Sequence, residues 1–469
     1  MKNAKLRGVI AAVSGALLMG FGANAMADST DDIVNALIAK GVLTEEEGAL
    51  LTKGRAGEKE AAEKKAKSAV TATYKDGIVI GTEDGKNSMT INGRVHFDAR
   101  SFDYSESGST APDTYDIRRS RIGVKARFLD YYEGEIVFNG SSLDNNKTLD
   151  VAYLNVAWWK PVQFRLGQFK QPFSMEQLTS SNNIDFVERS FVDKLIPAKE
   201  MGVMVHGEPV KGFTYGLSYS SGEGQNETET DARVDDRDII GRVTANFAEL
   251  AGNKDWLLHA GLAYSKGDIT KGDAGSVISR STETRSGVNY LNNGTAISFA
   301  NDNGVDRTRL GLEGAVGYGP FKLQGQWVRN SLDDGSKDED VEAYYVQALW
   351  TITGESQVSR YRSGAFSSLK PKNNFDPKTM SGGAWEVGVR YSNFDATDFA
   401  KTLAATHGYL EADAMTLGVK FVPNPHVRFM LDYVKTDFEG EGSTYTGLTV
   451  NGKTVDDEQA ILFRTQFAF

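Results

Sequence analysis

The 469-residue chain contains no cysteine, which excludes zinc sites built from thiolates and frameworks of disulfides. It has only five histidines, and none shows the spacing of a metal site or the His-Glu-x-x-His pattern. No stretch reaches the ~20 consecutive apolar residues that a transmembrane helix needs. The net charge of −11 is the opposite of what a nucleic-acid-binding face requires. We therefore expect no enzyme, no cofactor and no nucleic-acid partner.

The first 27 residues have the features of a secretory signal peptide. Three basic residues come first, an apolar run follows at positions 9–21, and Ala25-Met26-Ala27 is a small-x-small cleavage site. The apolar run is too short for a membrane anchor, so we expect cleavage before Asp28. Because the removed residues carry three positive charges and no negative ones, the net charge would become −14.

Residues 28–87 are predicted to form helices followed by a linker. Val34, Leu37 and Ile38 recur with the 3.6-residue period of a helix. Thr44 and Glu47 then have the spacing of a capping box, which predicts the start of a second helix. No sustained heptad follows, so the sequence leaves a coiled coil unproven.

From Ser88 onwards the period changes to two, which indicates β-strands. In residues 89–101 one face is apolar, and the other face carries Arg94, His96, Asp98 and Arg100. The strands of a transmembrane barrel face lipid on one side and water on the other. The strands of a soluble sandwich rarely show charged residues at such regular alternate positions. Similar runs continue to the chain end and fit about 16 strands, although periodicity alone also permits fourteen or eighteen.

The connections between these runs alternate in length. Residues 266–307 and 358–384 are long and polar, whereas residues 319–320 and 422–427 are short. Long external loops and short periplasmic turns are typical of outer-membrane barrels. We therefore expect both long stretches to be external.

Aromatic residues mark the strand ends and the chain terminus. Tyr131, Tyr132, Trp158 and Trp159 lie at strand ends, as an aromatic girdle or as ordinary turn residues. The last residue, Phe469, falls in register with the apolar face of the final run, which is typical of outer-membrane barrels.

Residues 164–190 (FRLGQFKQPFSMEQLTSSNNIDFVERS) interrupt the strand pattern. Pro172 removes a ladder donor, so the chain must leave the sheet there, and the apolar residues that follow predict packing rather than a solvated loop. The string Gly-Gln-Phe-Lys-x-Pro-Phe-Ser, with Leu-Thr-Ser-Ser and Glu-Arg-Ser after it, resembles the signature of the phosphate-selective porin (porin O and P) family.

The resemblance implies an all-β fold, a transmembrane antiparallel β-barrel of about 16 strands over residues 88–469. It places the barrel in the Gram-negative outer membrane, among lipid and lipopolysaccharide, with the N-terminal segment in the periplasm. It also implies a homotrimer that passes small anions, phosphate among them. The third external loop would fold into the pore as a constriction containing Pro172, Asn182 and Arg189.

Basic residues are the candidate anion path. Those on the charged parity of the early strands include Arg94, Arg119, Arg121 and Arg165. The resemblance implies that Arg94, the Arg118-Arg119 pair and Lys170 contribute to the path. Strand parity places Lys170 opposite to Arg165, so it reaches the pore only if the backbone twists. Asn182 stands where family members often carry arginine, which removes one expected cation.

Other interpretations stay open at this point. The basic residues could pair with Asp98, Glu133, Glu135 and Glu188 and merely keep a water-filled lumen polar. The same fold could serve as a general porin, or one for organic solutes, without phosphate preference. The barrel could also be an adhesin or an envelope tether whose N-terminal helices carry the function.

Overall fold

The computed structural model describes residues 34–53 without 36 and 51, 70–75, 77–103, 113–141, 148–222, 224–226, 237–269, 277, 281–286, 291, 304–401, 403, 408–440, 447–450 and 453–469. The predicted signal peptide and most of residues 28–69 lie outside these ranges. Among the described residues, no helix is long and apolar enough to cross a membrane.

The chain divides into two compact units, Met1–Ala69 and Val70–Phe469. The first contains helical residues at 37–39 and 45–50. Before the second of these stretches, the Thr44 backbone N–H donates to Glu47 Oε2 at 2.9 Å, and the Glu47 N–H donates to the Thr44 hydroxyl at 3.2 Å. This reciprocal pair satisfies donors that the first turn of a helix leaves open.

Sixteen antiparallel strands of the described residues close into one barrel, so the predicted fold and strand number are confirmed. The strands are β1 (Ser88–Asp103), β2 (Thr114–Phe128), β3 (Tyr132–Asn139), β4 (Leu149–Trp159), β5 (Val162–Lys170), β6 (Lys199–Val210), β7 (Phe213–Ser220), β8 (Asp238–Asn246), β9 (Trp256–Ile269), β10 (Val305–Tyr318), β11 (Phe321–Asp333), β12 (Asp338–Thr351), β13 (Ala384–Asp395), β14 (Glu411–Asn424), β15 (Val427–Glu439) and β16 (Asp457–Ala468). The barrel closes where β16 pairs with β1. Closure pairs every strand edge, which a chain in lipid requires.

Short elements complete the described part of the fold. They are α-helical turns at Met175–Leu178 and Phe247–Leu250, 3-10 turns at Phe191–Lys194, Val358–Arg360 and Thr397–Lys401, and two-residue strands at Tyr361–Arg362, Ala365–Phe366, Thr449–Val450 and Lys453–Thr454.

A hairpin that the sequence analysis did not predict precedes the barrel. Its strands are Val70–Tyr74 and Ile78–Thr82, and the second pairs with the start of β1 through Ile78 and Ile91. The hairpin therefore continues the barrel sheet at the closing seam. The first strand, Val-Thr-Ala-Thr-Tyr, does alternate between apolar residues and threonine, the period of a strand.

The two-residue alternation separates a lipid face from an interior face, as predicted. On β1, Val95 and Phe97 are 41% and 38% exposed, whereas His96 and Asp98, which follow them, are fully buried. Single strands thus place apolar side chains outwards and ionisable ones inwards, the reverse of a soluble sandwich.

A bulge breaks this alternation where β1 meets β2. The register shifts between His96 and Phe97, which pair with Arg119 and Ile117, so Arg118 is the extra residue. Two residues of a bulged strand then oppose one residue of the partner. As a result, Arg118 and Arg119 are both buried inside the barrel.

Aromatic rings form a band on the outside of the barrel at the end with the short turns. Tyr131, Tyr132, Trp158 and Trp159 contact one another in series, with ring centroids 6.0–6.3 Å apart. Trp385 and Phe421 stack at 4.5 Å at the same end. Continuous, exposed rings at several turns favour the girdle over isolated turn aromatics.

One expectation about the connections is wrong. Residues 352–383, which include most of the long stretch 358–384, join β12 to β13. Since antiparallel strands alternate in direction, this connection lies at the same end as the short turn 319–320 and not with the long loops. The length of a connection does not determine the end of the barrel at which it lies; the number of strands before it does.

The C-terminal residue is tied directly to the first strand. The backbone groups of Phe469 and Gly93 exchange two hydrogen bonds of 2.9 and 3.0 Å. A Cβ atom at Gly93 would lie 2.7 Å from the Phe469 ring, so only glycine leaves that ring in place.

Gly93→Ala is therefore expected to displace the Phe469 ring and slow barrel assembly. The measure is the heat-modifiable, folded fraction against time on gels after dilution into detergent. Gly134→Ala is the matched control, because an added Cβ there meets nothing closer than 3.6 Å. Equal assembly rates for the two variants would contradict the assigned role of the Gly93 contact.

Candidate functional site

The connection between β5 and β6, residues 171–198, is called the central loop. Its backbone N–H groups donate to inward-facing side chains on three distant strands: Met175 to Glu313 Oε2 at 2.8 Å, Val187 to Asp432 Oδ2 at 2.6 Å and Phe191 to Ser392 Oγ at 3.2 Å. The central loop therefore lies against the inner wall, and the wall supplies the partners that a buried loop needs.

Apolar side chains hold the central loop against wall positions that lack side chains. Phe173 and Phe186 are 2% and 1% exposed. An added Cβ would come within 2.9 Å of Phe173 at Gly311 and within 2.8 Å of Phe186 at Gly418. These wall glycines make room for the two rings.

Asp185 of the central loop is the centre of a buried ion network. Its carboxylate lies 2.7 Å from Lys322 Nζ, 3.2 Å from Arg360 Nη2 and 3.8 Å from Lys420 Nζ. Burial alone would raise the pKa of Asp185, but these three cations outweigh it and hold that pKa below its ordinary range. The carboxylate is thus ionised at neutral pH.

A second network joins the central loop to the seam. Glu188 Oε1 accepts from Arg118 Nε at 2.9 Å and from Arg464 Nη2 at 3.1 Å. Arg464 also donates to Asp98 Oδ1 at 2.6 Å. Ion pairs therefore hold the central loop at two of its residues, Asp185 and Glu188.

Residues 352–383, called the turn insert, reach the central loop from the short-turn end. The Phe366 N–H donates to the Thr179 hydroxyl at 3.1 Å, and Asn183 Nδ2 donates to the Phe366 carbonyl at 3.4 Å. Arg360 of the insert joins the Asp185 network. Both segments therefore act as one packed unit against β8 to β15.

A cavity of about 1230 Å³ remains on the other side, against β1 to β5. Among the described residues, twelve lysine or arginine residues border it, against three aspartate or glutamate residues. The cationic residues are Arg94, Arg119, Arg121, Lys125, Arg165, Lys170, Arg189, Lys199, Arg360, Arg362, Lys370 and Lys372, and the acids are Glu135, Asp150 and Glu355. The cavity is therefore cationic inside an acidic protein.

The family model of phosphate-selective porin O and P matches residues 89–469, most of the chain. The chain belongs to this family. Porin O of Pseudomonas aeruginosa is 29% identical over 425 residues, which cover 84% of this chain and 91% of that protein. The loop L8 deletion mutant of OmpT, an outer membrane protein of Vibrio cholerae, has a TM-score of 0.50 at 14% identity and covers 82% of this chain and 100% of its own. That likeness shows the barrel fold alone. As a member of the family, the protein is a porin of the Gram-negative outer membrane.

Three of the predicted cations of this porin border the cavity without a carboxylate partner among the described residues. Arg94 donates to the hydroxyls of Ser180 and Ser181 at 3.2 and 3.1 Å. Arg119 is 4% exposed, and its Nε and Nη1 atoms find no partner in the described part of the chain. Arg165 lies 4.3 Å over the Tyr153 ring. Their charge is thus not neutralised by any described carboxylate.

Two other predicted cations are neutralised, as the salt-bridge interpretation expects. Arg118 pairs with Glu188, and Arg121 Nη2 lies 2.9 Å from Asp150 Oδ1. Lys125 and Glu135 also approach to 3.6 Å. The predicted cations therefore divide into a subset that is paired with carboxylates and a subset that is not paired with any described carboxylate.

Lys170 reaches the interior although strand parity points it outwards. Gly167, three residues earlier, has a φ of +122°, which breaks the alternation of β5. Lys170 Nζ then donates to the carbonyls of Gln177, Leu178 and Thr179 in the central loop. The ammonium therefore anchors this loop as well as bordering the cavity.

The other predicted residues of the central loop lie as follows. Pro172 is buried at the end of β5, close to Gly216. Asn182 Oδ1 lies 3.0 Å from His96 Nε2. Arg189 borders the cavity and donates to the carbonyls of Glu176 at 3.1 Å and Thr179 at 2.9 Å.

Five cations at the cavity were missed by the sequence analysis. Lys199 starts β6, and the turn insert supplies Arg360, Arg362, Lys370 and Lys372. The basic residues of the insert are evident in the sequence, but the length of the stretch predicts an external loop. A count of strand directions up to β12 would have placed it at the periplasmic end.

Proposed function

We propose that this porin conducts small anions, phosphate among them, along the cationic cavity between the β1–β5 wall and the two inserted segments. One observation carries the proposal: among the described residues around the cavity, lysine and arginine outnumber acids twelve to three, although the whole chain has a net charge of −11. The central loop and the turn insert serve as the constriction.

The local cations outweigh the distant acids for a physical reason. Two unit charges 4 Å apart interact by about 4 kcal/mol at an effective dielectric constant near 20, against about 1 kcal/mol in bulk water. Charges on the outer loops are screened over about 8–10 Å at physiological salt. A solute in the cavity therefore experiences mainly the cations that border it, Arg94, Arg119 and Arg165 among them.

The test is the reversal potential of the purified porin in a potassium chloride gradient across a planar bilayer. We expect the sign that chloride permeation gives, and we expect phosphate to reduce the chloride current. A reversal potential with the sign of potassium would overturn the proposal.

The assembly belongs to the same proposal. We expect a homotrimer in outer-membrane lipid, with lipopolysaccharide around its external rim, because the family resemblance implies it. Cross-linking and mass measurement in mild detergent will show the oligomeric state. Monomers alone would remove the trimer from the proposal.

A porin for larger organic anions is the second candidate, and Asn182 favours it. This residue stands where the family resemblance implies arginine, and its side chain contacts His96 instead of offering charge. Asn182→Arg is expected to raise the chloride-to-potassium permeability ratio, with the reversal potential as the measure. A separate measurement on the native porin compares the permeation of gluconate with that of phosphate. If gluconate permeates as readily as phosphate, the second candidate is preferred.

A further inference from the structure

Glu313, an inward-facing residue of β10, lies where the central loop and the turn insert meet the same part of the wall. It is 8% exposed, and each of its two carboxylate oxygens accepts from a different set of donors. We use the name wall joint for Glu313 together with the three wall side chains bonded to it, Arg242 of β8, His259 of β9 and Gln326 of β11.

One oxygen of Glu313 holds the central loop. Oε2 accepts from the Met175 backbone N–H at 2.8 Å and from Gln326 Nε2 at 3.0 Å. Gln326 Oε1 accepts in turn from the Ser174 hydroxyl at 3.1 Å and from the Glu176 N–H at 3.0 Å. The bonded N–H groups belong to the first turn of a short helix, which leaves them without internal partners. Three consecutive residues of the central loop are thus bonded to two neighbouring wall residues.

The other oxygen of Glu313 holds the turn insert through two bridges. Oε1 accepts from Arg242 Nε at 3.1 Å, and Arg242 Nη2 donates to the Gly364 carbonyl of the insert at 2.8 Å. Oε1 also lies 3.0 Å from His259 Nε2, and His259 Nδ1 lies 2.8 Å from the Tyr361 hydroxyl of the insert. Because a carboxylate only accepts, Nε2 carries a hydrogen, and Nδ1 of the neutral ring accepts from Tyr361.

Two glycines leave space for the wall joint. A Cβ atom at Gly261 of β9 would lie 2.5 Å from Glu313 Oε1, and a Cβ atom at Gly364 would lie 3.0 Å from Arg242 Nη1. A side chain at Gly261 would therefore push the carboxylate away from its donors. The backbone of the wall thus determines the position of the carboxylate together with its hydrogen bonds.

A small apolar cluster lies beside the wall joint and contains residues of all three parts of the structure. Its members are Met175 of the central loop, Tyr361 and Phe366 of the turn insert, and Leu257 and Ala315 of the wall. Ala315 is two residues from Glu313 on the same strand and is 3% exposed. Since the inserted segments cover it, Ala315 should become accessible when they leave the wall.

We propose that Glu313 is a positioning residue that holds the central loop and the turn insert at one point of the wall and so sets the width of the pore. The inference rests on the proposed role of these two segments as the constriction. Glu313 is not among the described residues that border the cavity, so it acts through the segments and not on the solute. All groups bonded to its carboxylate are donors, so an amide, with one acceptor oxygen, cannot satisfy both segments.

The first experiment measures opening directly, because the chain has no cysteine of its own. Ala315→Cys places one thiol beneath both segments, and a charged methanethiosulfonate reagent modifies it on the folded porin at a rate that follows the open fraction. In this background, we expect Glu313→Gln to raise the rate about tenfold, the effect of leaving one buried partner unpaired. A native rate in Glu313→Gln would overturn the inference.

Glu200→Gln is the matched control for the loss of a buried carboxylate. Glu200 is 3% exposed on β6, and its side chain accepts from the Ser220 hydroxyl of the neighbouring strand. This variant should keep the native rate of modification. An equal acceleration in both variants would show that any buried carboxylate has this effect, and the assignment to Glu313 would be wrong.

The second experiment moves the carboxylate without removing its charge, and it serves also if Glu313→Gln does not fold. Gly261→Ala should displace Glu313 Oε1 and accelerate modification at Ala315→Cys. Gly314→Ala is its control, because an added Cβ there meets nothing closer than 3.7 Å. Equal rates in the two alanine variants would contradict the inference.

The third experiment tests whether Glu313 joins the two segments. Tyr361→Phe removes the hydroxyl at the insert end of the His259 bridge, so it should accelerate modification in the native background. Once Glu313→Gln is present, Tyr361→Phe should add little, since coupled residues are not additive. Rate increases that multiply would show two independent attachments and would refute a common joint.

Single-channel recordings connect the wall joint to the pore. We expect folded Glu313→Gln channels to show a higher conductance with the native sign of the reversal potential, because the cations around the cavity are unchanged. Faster thiol modification at native conductance would refute the assignment of pore width to Glu313. A native channel that prefers potassium would instead contradict the proposed anion function, and the thiol measurements would still decide the inference about Glu313.

Discussion

Asp185→Asn is expected to release the turn insert and to raise the conductance of the single channel. The change removes the carboxylate that faces Lys322, Arg360 and Lys420 inside the barrel. Breaking a buried ion pair by removing one partner costs about 3–5 kcal/mol. Lys322 loses its carboxylate partner, whereas Arg360 and Lys420 then share the single carboxylate of Glu386, at 3.0 and 2.6 Å. Arg360 belongs to the turn insert, so the loss of its ion pair with Asp185 should detach the insert from the central loop and leave a wider path.

Planar-bilayer recordings will measure the mean conductance and the open-channel noise of Asp185→Asn. Asp338→Asn is the control. Asp338 is an exposed acid at the start of β12, and its substitution removes the same charge as Asp185→Asn. Unchanged conductance in a folded Asp185→Asn channel would show that the insert is held without this network.

The pH dependence follows from the sign of the shift at Asp185. Its pKa lies below the ordinary range in the folded protein, so its ion pairs stabilise the fold above the unfolded pKa of about 3.9 and are lost only as pH falls lower still. Acidification to about pH 5 should therefore not reproduce the effect of Asp185→Asn.

The barrel itself could be predicted from sequence because its signal is local. Val95 and His96 differ in exposure as the alternation of β1 requires, and no distant contact is needed to read it. The register of Phe469 with the final apolar face is equally local. The pairing of the seam hairpin, Val70–Tyr74 and Ile78–Thr82, with the start of β1 is a contact that strand periodicity alone does not reveal.

The pore lining could be predicted only in part, because it depends on bulges and on distant partners. One extra residue in β2 turns Arg118 inwards beside Arg119, and the left-handed φ of Gly167 precedes the inward turn of Lys170. Asp185 pairs with Arg360, 175 positions away. No spacing rule links such residues, so sequence could name the cations but not decide which of them remain unpaired.

The unpaired cation Arg119 leads to the second large effect. Arg119→Glu is expected to turn an anion-preferring channel into one that prefers potassium. Arg119 borders the cavity and lacks a carboxylate partner among the described residues, so its charge is not already cancelled. Reversing it changes the local field by two charges, at about 4 kcal/mol for each pair 4 Å apart in a medium of dielectric constant near 20. Even a third of one such term, about 1.4 kcal/mol, shifts a permeability ratio about tenfold.

The reversal potential in a potassium chloride gradient is the measure for Arg119→Glu, with Arg119→Gln expected to lie between the variant and the native porin. Arg329→Glu is the matched control, because it makes the same change in net charge on β11 outside the cavity lining, where its partners are Asp340 and Glu342. If all three variants keep the native reversal potential, Arg119 does not set the selectivity. If Arg329→Glu shifts the potential as much as Arg119→Glu, the overall charge of the porin governs permeation. A shift confined to the Arg119 variants would show that selectivity depends on cations, such as Arg119, that have no carboxylate partner among the described residues.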